Sequence, residues 1–331
     1  MNVAVIGAGS WGTTVASIVA QKTPTTLWAR RPELAEHINA NKVNPDYLPD
    51  HELHPDLVAT ADLEEAVAGA DALFLAVPSH GFRATLEAMD GHVGDGVPIV
   101  SLTKGFEAET RKRMTELIEE VLPGHPAGAL AGPNLAKEVL DGYAAAAVLA
   151  MRETEIAEEL QDVIRSTLFR VYTGDDIIGV EVAGALKNVI AIAAGMADGL
   201  GTGDNTRALI IARGVAELTR LGVAMGGDPR TFAGLAGMGD IMATCISPLS
   251  RNRTVGYKIG KGMTIDEVTA EMKQVAEGVK TARTAVRLAE EHDVDMPICR
   301  DIDAVVNEGR TAEEAFRGLL RIAPTHEHAA G

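Results

Sequence analysis

Val3-Ala4-Val5-Ile6-Gly7-Ala8-Gly9-Ser10-Trp11-Gly12-Thr13-Thr14-Val15-Ala16 decides the fold of this chain. A four-residue apolar run of strand character passes into a GxGxxG turn, and a helix of small residues follows. Gly7 permits the tight turn, Gly9 lets a pyrophosphate approach the backbone, and Gly12 lets helix pack on strand. The unpaired N–H groups of the helix start would face that phosphate. A glycine turn without a ligand is the alternative, and it leaves the missing side chains unexplained. The context of strand, turn and helix therefore predicts a dinucleotide site.

The next apolar run, Thr25–Trp28, is read as the second strand. A site selective for NAD carries an acid near its end to hold the ribose 2′-hydroxyl. Here the run continues Ala29-Arg30-Arg31-Pro32, and the first acid is Glu33. Two guanidiniums suit a 2′-phosphate and can stack on adenine, so NADPH is expected in preference to NADH, which remains possible. Two solvated arginines in a turn are the bland alternative.

Further strand-like runs lie at 72–77, 98–102, 128–131, 144–150 and 170–172. Helix-like segments at 64–68, 83–89, 107–121 and 153–166 alternate with them. Such alternation implies βαβ units and a mostly parallel, doubly wound sheet covered on both faces. After about Asp176 strand-like runs cease, and segments of helical length follow at 177–196, 206–221, 265–272, 279–291 and 296–306. The expectation is an α/β Rossmann-like domain over 1–178 and an all-α domain over 179–331.

Composition narrows the partners. The chain has 331 residues, with 30 Lys+Arg against 47 Asp+Glu and a formal charge of −17. That length exceeds what one core usually supports. The acidic balance argues against nucleic acid and anionic membranes as partners. Two cysteines, Cys245 and Cys299, without CxxC spacing speak against a disulfide framework or a cysteine zinc site and suit a reducing cytosol. No basic leader follows Met1. The nearest approach to a membrane span, 182–197, is interrupted by a lysine. A soluble cytoplasmic protein is expected. His51-Glu52-Leu53-His54 is HxxH beside prolines, not HExxH on a helix, so it reads as a solvated loop and no metal is expected. Met225, Met238 and Met242 read as packing or hinge-lining residues.

Lys187 is the only charge between Val182 and Ala197. A lone ammonium in so apolar a segment either snorkels to water or is buried for general acid–base work. Asn188 beside it could bond a substrate oxygen or the lysine itself. Lys104 follows an apolar strand directly, where ligands of open α/β sheets bind. Gly132-Pro133-Asn134 repeats that pattern. Asp240, alone in a neutral stretch, is expected to face a buried partner, with a lysine the obvious one and a helix cap the alternative. Ser250-Arg251-Asn252-Arg253 gathers hydroxyl, guanidinium and amide groups at a helix start, which suits a phosphate ester.

Together these residues resemble the bacterial NAD(P)-dependent glycerol-3-phosphate dehydrogenases. The resemblance is carried by GAGSWGT at 7–13, NPDYLPD at 44–50, VPSH at 77–80, TKGFE at 103–107 and AGPNLAKEV at 131–139. It continues through EVAGALKNVIAIAAGMADGLG at 181–201, LAGMGDIMATC at 235–245, SRNR at 250–253 and VAEGVKTA at 275–282. It implies that Lys187 is the proton acceptor/donor; Lys104, Asp240 and Asn188 complete the expected catalytic set, Lys104 sharing the stabilisation of the alkoxide and Asp240 orienting Lys187. Lys104, Gly132, Asn134, Asp240, Ser250, Arg251 and Asn252 would contact substrate. Ser10, Trp11, Arg30, Arg31, Tyr47, Lys104, Ala136, Arg251, Val275 and Glu277 would contact the cofactor. Family members usually carry Ser or Thr where this chain has Asn134. The implied reaction reduces dihydroxyacetone phosphate to sn-glycerol 3-phosphate, supplying the glycerophospholipid backbone, with a homodimer as the implied assembly. A β-hydroxy-acid or ketopantoate-type reductase and a non-catalytic NADPH sensor are the alternatives. The reductases generally space their lysine and asparagine one helical turn apart, whereas Lys187 and Asn188 are adjacent.

Overall fold

The computed structural model describes residues 1–272 and 276–321. Val275, one of the implied cofactor contacts, lies outside the described residues. The chain divides into two compact units, one of Met1–Glu107 with Lys112–Glu181 and the other of Ala108–Arg111 with Val182–Gly331.

In the first unit, β1 (Val3–Ile6), β2 (Thr25–Trp28), β3 (Val58–Thr60), β4 (Ala72–Leu75), β5 (Ile99–Ser101), β6 (Ala127–Ala131), β7 (Ala145–Met151) and β8 (Phe169–Gly174) form one sheet. Its order is β3-β2-β1-β4-β5-β6-β7-β8. Neighbours run parallel except β6 and β7, which pair antiparallel with Gly128 opposite Met151. Side chains alternate across the sheet. Val3 and Val5 enter one core with Val15, Phe74 and Leu149. Ala4 and Ile6 enter another with Leu73, Leu75, Phe82 and Ile99. Burial on both faces is why these strands read as unbroken apolar runs. The order reverses at β1 and β4, so the carboxyl ends of those strands frame the crevice in which such sheets bind ligands.

Three local expectations need correction. Residues 107–113 are not helical; the helix runs Met114–Val121. Ahead of it a turn bridges Phe106 to Arg113, Arg111 has φ +61°, and Glu107 is held by Arg83 at 2.7 Å. The His51–His54 loop is not wholly solvated: Leu53 is buried, and His51 Nε2 lies 3.1 Å from Asp141 Oδ1. Met238 and Met242 do not pack inside but stand exposed.

The described part of the second unit is helical and carries no strand. Its longest helix, Ile177–Leu200, begins in the first unit and is long and apolar enough to cross a membrane. Its most apolar window is 94% buried, the burial of a core helix. Arg251–Gly260 lies directly on it. A Cβ at Gly256 would stand 2.0 Å from Ile192 O, and one at Gly195 would stand 2.1 Å from Arg253 O. Bare glycines thus let the two backbones touch, which sets the 250–253 segment beside residues 187 and 188.

The helix Pro297–Glu308 starts on a proline and has no side-chain cap of its own. Glu217, buried in the helix Asp204–Ala224, accepts from Ile298 N at 2.8 Å and Cys299 N at 3.3 Å instead. Burial pushes its carboxyl from an ordinary 4.5 up to about 7, although both amides pull the other way. The folded state therefore holds a proton that the unfolded chain has released between those values. The resulting stabilisation is complete below pH 4.5 and lost as pH rises through about 7. Thermal melts across this window are expected to show a falling melting temperature in the wild type. Glu217→Gln, which cannot titrate, should show a shallower fall; equal slopes would contradict the assignment.

Candidate active site

The first helix, Ser10–Val19, has no side-chain cap and no acid in its first turn. Its leading N–H groups therefore await an acceptor, as an anion site requires. Gly7 has φ +118° and donates its N–H to Trp28 O at 3.1 Å, which ties the glycine turn to the end of β2. A Cβ at Gly12 would meet Gly7 O at 2.0 Å, whereas one at Gly9 would meet nothing within 4 Å. Gly12 is thus required by packing, and Gly9 leaves a space over the turn. Trp11 packs edge-on against Phe169 with ring centroids 5.8 Å apart, and its buried Nε1–H has no partner. An uncapped helix start, an open space and an orphaned donor fit a dinucleotide phosphate.

Arg30 and Arg31 are exposed just beyond β2, and Arg31 pairs with Asp46. Asn44, fully buried, donates to Ala8 O at 3.0 Å and to Thr13 Oγ1 at 2.8 Å. Its Oδ1 accepts from the backbone N–H groups of Asp46 and Tyr47, both at 3.3 Å. One amide thereby couples the glycine turn to the loop bearing Tyr47. Asn44 does not stand out in the sequence of this loop. A polar residue flanked by turn formers was the available signal, and its partners lie 36 and 31 residues away. Ala136 opens the helix Ala136–Leu140, with its carbonyl 3.5 Å from Thr14 Oγ1 on the first helix.

Lys104 follows β5 and Gly132 follows β6. Lys104 Nζ donates to Gly132 O at 3.1 Å and to Asn134 Oδ1 at 2.8 Å. An ammonium only donates, so the amide must turn its oxygen to the lysine. Asn134 Nδ2 is then left buried without a partner. Gly132 has φ +152°, and a Cβ there would meet Ala146 O at 2.6 Å.

In the second unit Lys187 and Asp240 are both buried and form an ion pair. Lys187 also donates to Thr244 Oγ1 at 2.7 Å, and that hydroxyl donates to Asp240 O at 2.6 Å. Asp240 begins the helix Asp240–Ile246 directly after a π-helical turn, Leu235–Gly239. Such irregular turns are frequent at functional sites. The counter-charge and the hydroxyl let an ammonium reside where isolated burial would be costly. Thr244 was not singled out from sequence, because its role depends on a lysine 57 residues away. Cys245 lies beside the pair, but burial pushes its thiol up to about 12, so it offers no thiolate nucleophile.

Asn188 accepts at Oδ1 from Asn252 Nδ2 at 2.9 Å, and Asn252 Oδ1 accepts from Gly278 N at 3.0 Å. Ser250 caps its own helix by accepting from Arg253 N at 3.2 Å. Arg251 is exposed, and Arg253 is held by Asp198 at 2.8 Å. Glu277 is the first residue of the helix Glu277–Glu291. The second unit thus holds two bonded clusters, Lys187 with Asp240 and Thr244, and Asn188 with Asn252 and Gly278, that meet at the adjacent residues 187 and 188, with Ser250 and Arg251 flanking Asn252 in sequence. The first unit gathers the glycine turn with Arg31, and separately Lys104 with Gly132 and Asn134.

Residues 2–157 match the sequence model for the NAD-dependent glycerol-3-phosphate dehydrogenase N-terminus, and 176–317 match that for its C-terminus. The chain belongs to the NAD-dependent glycerol-3-phosphate dehydrogenase family. It is 57% identical to glycerol-3-phosphate dehydrogenase [NAD(P)+] 2 of Sphingopyxis alaskensis, over 97% of this chain and 96% of that one. The crystal structure of glycerol-3-phosphate dehydrogenase from Coxiella burnetii superposes with a TM-score of 0.93 at 33% identity, covering 97% and 98% of the two chains. A ketopantoate reductase from Ralstonia eutropha, at 17% identity and a TM-score of 0.62, shares the fold alone. Family membership makes the chain an NAD(P)-dependent oxidoreductase, and the Rossmann-like sheet followed by helices is the family's architecture.

Proposed function

We propose that this chain reduces dihydroxyacetone phosphate to sn-glycerol 3-phosphate, reversibly, with NADPH as preferred cofactor and NADH as a possible one. The observation that carries this reading is the buried Lys187–Asp240–Thr244 cluster. The nicotinamide, when bound, supplies the hydride that adds to the C2 carbonyl. Lys187 as ammonium then gives a proton to the developing alkoxide, and takes one from the alcohol in reverse. Asp240 and Thr244 orient its Nζ, and the positive charge stabilises the alkoxide most where water is scarce. Gly7, Gly9, Ser10, Trp11 and Gly12 would hold the pyrophosphate, and Arg30, Arg31 and Tyr47 the adenosine end. Ala136, Arg251 and Glu277 are further cofactor contacts in the same reading. Lys104, Gly132 and Asn134 would meet substrate oxygens, the orphaned Asn134 Nδ2 supplying a donor. Ser250, Arg251 and Asn252 would bind the phosphate, converting remote binding into positioning.

In this reading the first unit supplies the glycine turn and the arginines for the dinucleotide, and the second supplies proton transfer together with the further cofactor contacts Arg251 and Glu277. A homodimer in the cytoplasm belongs to the same reading and rests on family membership. The decisive assay follows loss of nicotinamide absorbance with dihydroxyacetone phosphate, with ketopantoate and without substrate. Oxidation with dihydroxyacetone phosphate alone is expected. Turnover only with ketopantoate would favour the reductase alternative, and binding without turnover would favour a sensor.

A further inference from the structure

The end of β2 carries two arginines where an NAD site would carry an acid, yet an acid is present by another route. Asp46 lies eighteen residues beyond Trp28, with Arg31 as its ion-pair partner. Its position is not left to a free loop. Asp46 N donates to Asn44 Oδ1, and the same side chain grips Ala8 O and Thr13 Oγ1 of the glycine turn. Gly7 N, in turn, is bonded to Trp28 O at the end of the strand that leads to Arg31. The turn, the guanidinium and the carboxylate therefore form one connected frame at the carboxyl edge of β1 and β2. Both side chains are about half exposed, 55% and 43%, so their pairing is weak enough to exchange for a ligand contact.

We infer that Asp46 is a specificity-determining residue that admits the unphosphorylated dinucleotide. With NADH, its carboxylate accepts the adenosine ribose 2′-hydroxyl, the task usually given to an acid at the end of the second strand. With NADPH, the 2′-phosphate takes Arg31 from Asp46, and the carboxylate becomes a nearby like charge that weakens phosphate binding. One exchangeable ion pair thus serves both cofactors, while its acid limits the preference for the phosphorylated one. This inference rests on the reading of the glycine turn and Arg31 as the dinucleotide site.

The test is calorimetric titration of NADPH and of NADH into the whole protein without substrate, for wild type, Asp46→Asn and Arg31→Ala. Asp46→Asn keeps the shape of the side chain and loses its charge. It is expected to raise the ratio of the NADH to the NADPH dissociation constant by roughly tenfold, the size of one charged contact. Most of that change should vanish in strong salt, because exposed charges are screened. Arg31→Ala is expected to weaken NADPH selectively. If Asp46→Asn leaves the ratio unchanged, or weakens both cofactors equally, while Arg31→Ala still selects against NADPH, the role of Asp46 is overturned and the arginine reading stands. If Arg31→Ala alters neither affinity, both are overturned.

Discussion

Lys187→Met is expected to lower the turnover number for reduction by roughly a thousandfold or more, the combined scale of a lost general acid and a lost charge at the oxyanion. The side chain stands buried with Asp240 and Thr244 on its ammonium, and methionine at this position supplies neither the proton nor the charge. Dinucleotide affinity should survive, because the glycine turn belongs to the other compact unit. The substitution also strands a carboxylate that is only 2% exposed. Leaving a buried charge unpaired costs about 3–5 kcal/mol, so the single variant should melt well below wild type. The double variant Lys187→Met/Asp240→Asn removes that charge and should regain stability without regaining turnover. Steady-state kinetics and thermal melts on the same three proteins separate chemistry from folding. Recovery of activity in the double variant would show that Lys187 acts only as a structural partner.

The glycine turn yields a pair of expectations of opposite kind. Gly9→Ala places a methyl group in open space, and φ at that residue is −74°, ordinary for alanine. Its melting temperature should match wild type. Its NADPH affinity should fall roughly tenfold to a hundredfold, the worth of one or two hydrogen bonds to a charged phosphate. Gly12→Ala drives a methyl group to 2.0 Å from Gly7 O and 2.8 Å from Ala76 Cβ. Overpacking of backbone against backbone costs about 1–3 kcal/mol or more, so this variant should lose stability even without cofactor. Titration calorimetry and thermal melts read the two effects. Full NADPH affinity in Gly9→Ala would remove the pyrophosphate from the space above the turn.

The fold was legible where burial on both faces left uninterrupted apolar runs, as in β1 and β4, and where one long apolar helix carried a single charge. It was not legible in β3, a three-residue edge strand whose Val58 is 54% exposed and so resembles loop. The helix Pro32–Asn41 was also missed, since only Leu34, Ala35 and Ile38 are buried among its polar residues. In the site, Lys187, Asp240 and Lys104 announced themselves as charges in neutral or strand-end settings. Asn44, Thr244 and Asp46 did not. Each is an ordinary turn or helix residue until the fold brings its partner to it.

In the proposed reaction Lys187 delivers the proton to the oxygen at C2. A crystal structure with NADPH and an unreactive dihydroxyacetone phosphate analogue tests it most directly. The expected result is Lys187 Nζ within hydrogen-bond reach of that oxygen, about 2.6–3.2 Å, with Asp240 still on the amine. An Nζ beyond that reach, with no water bridging the gap, would contradict it.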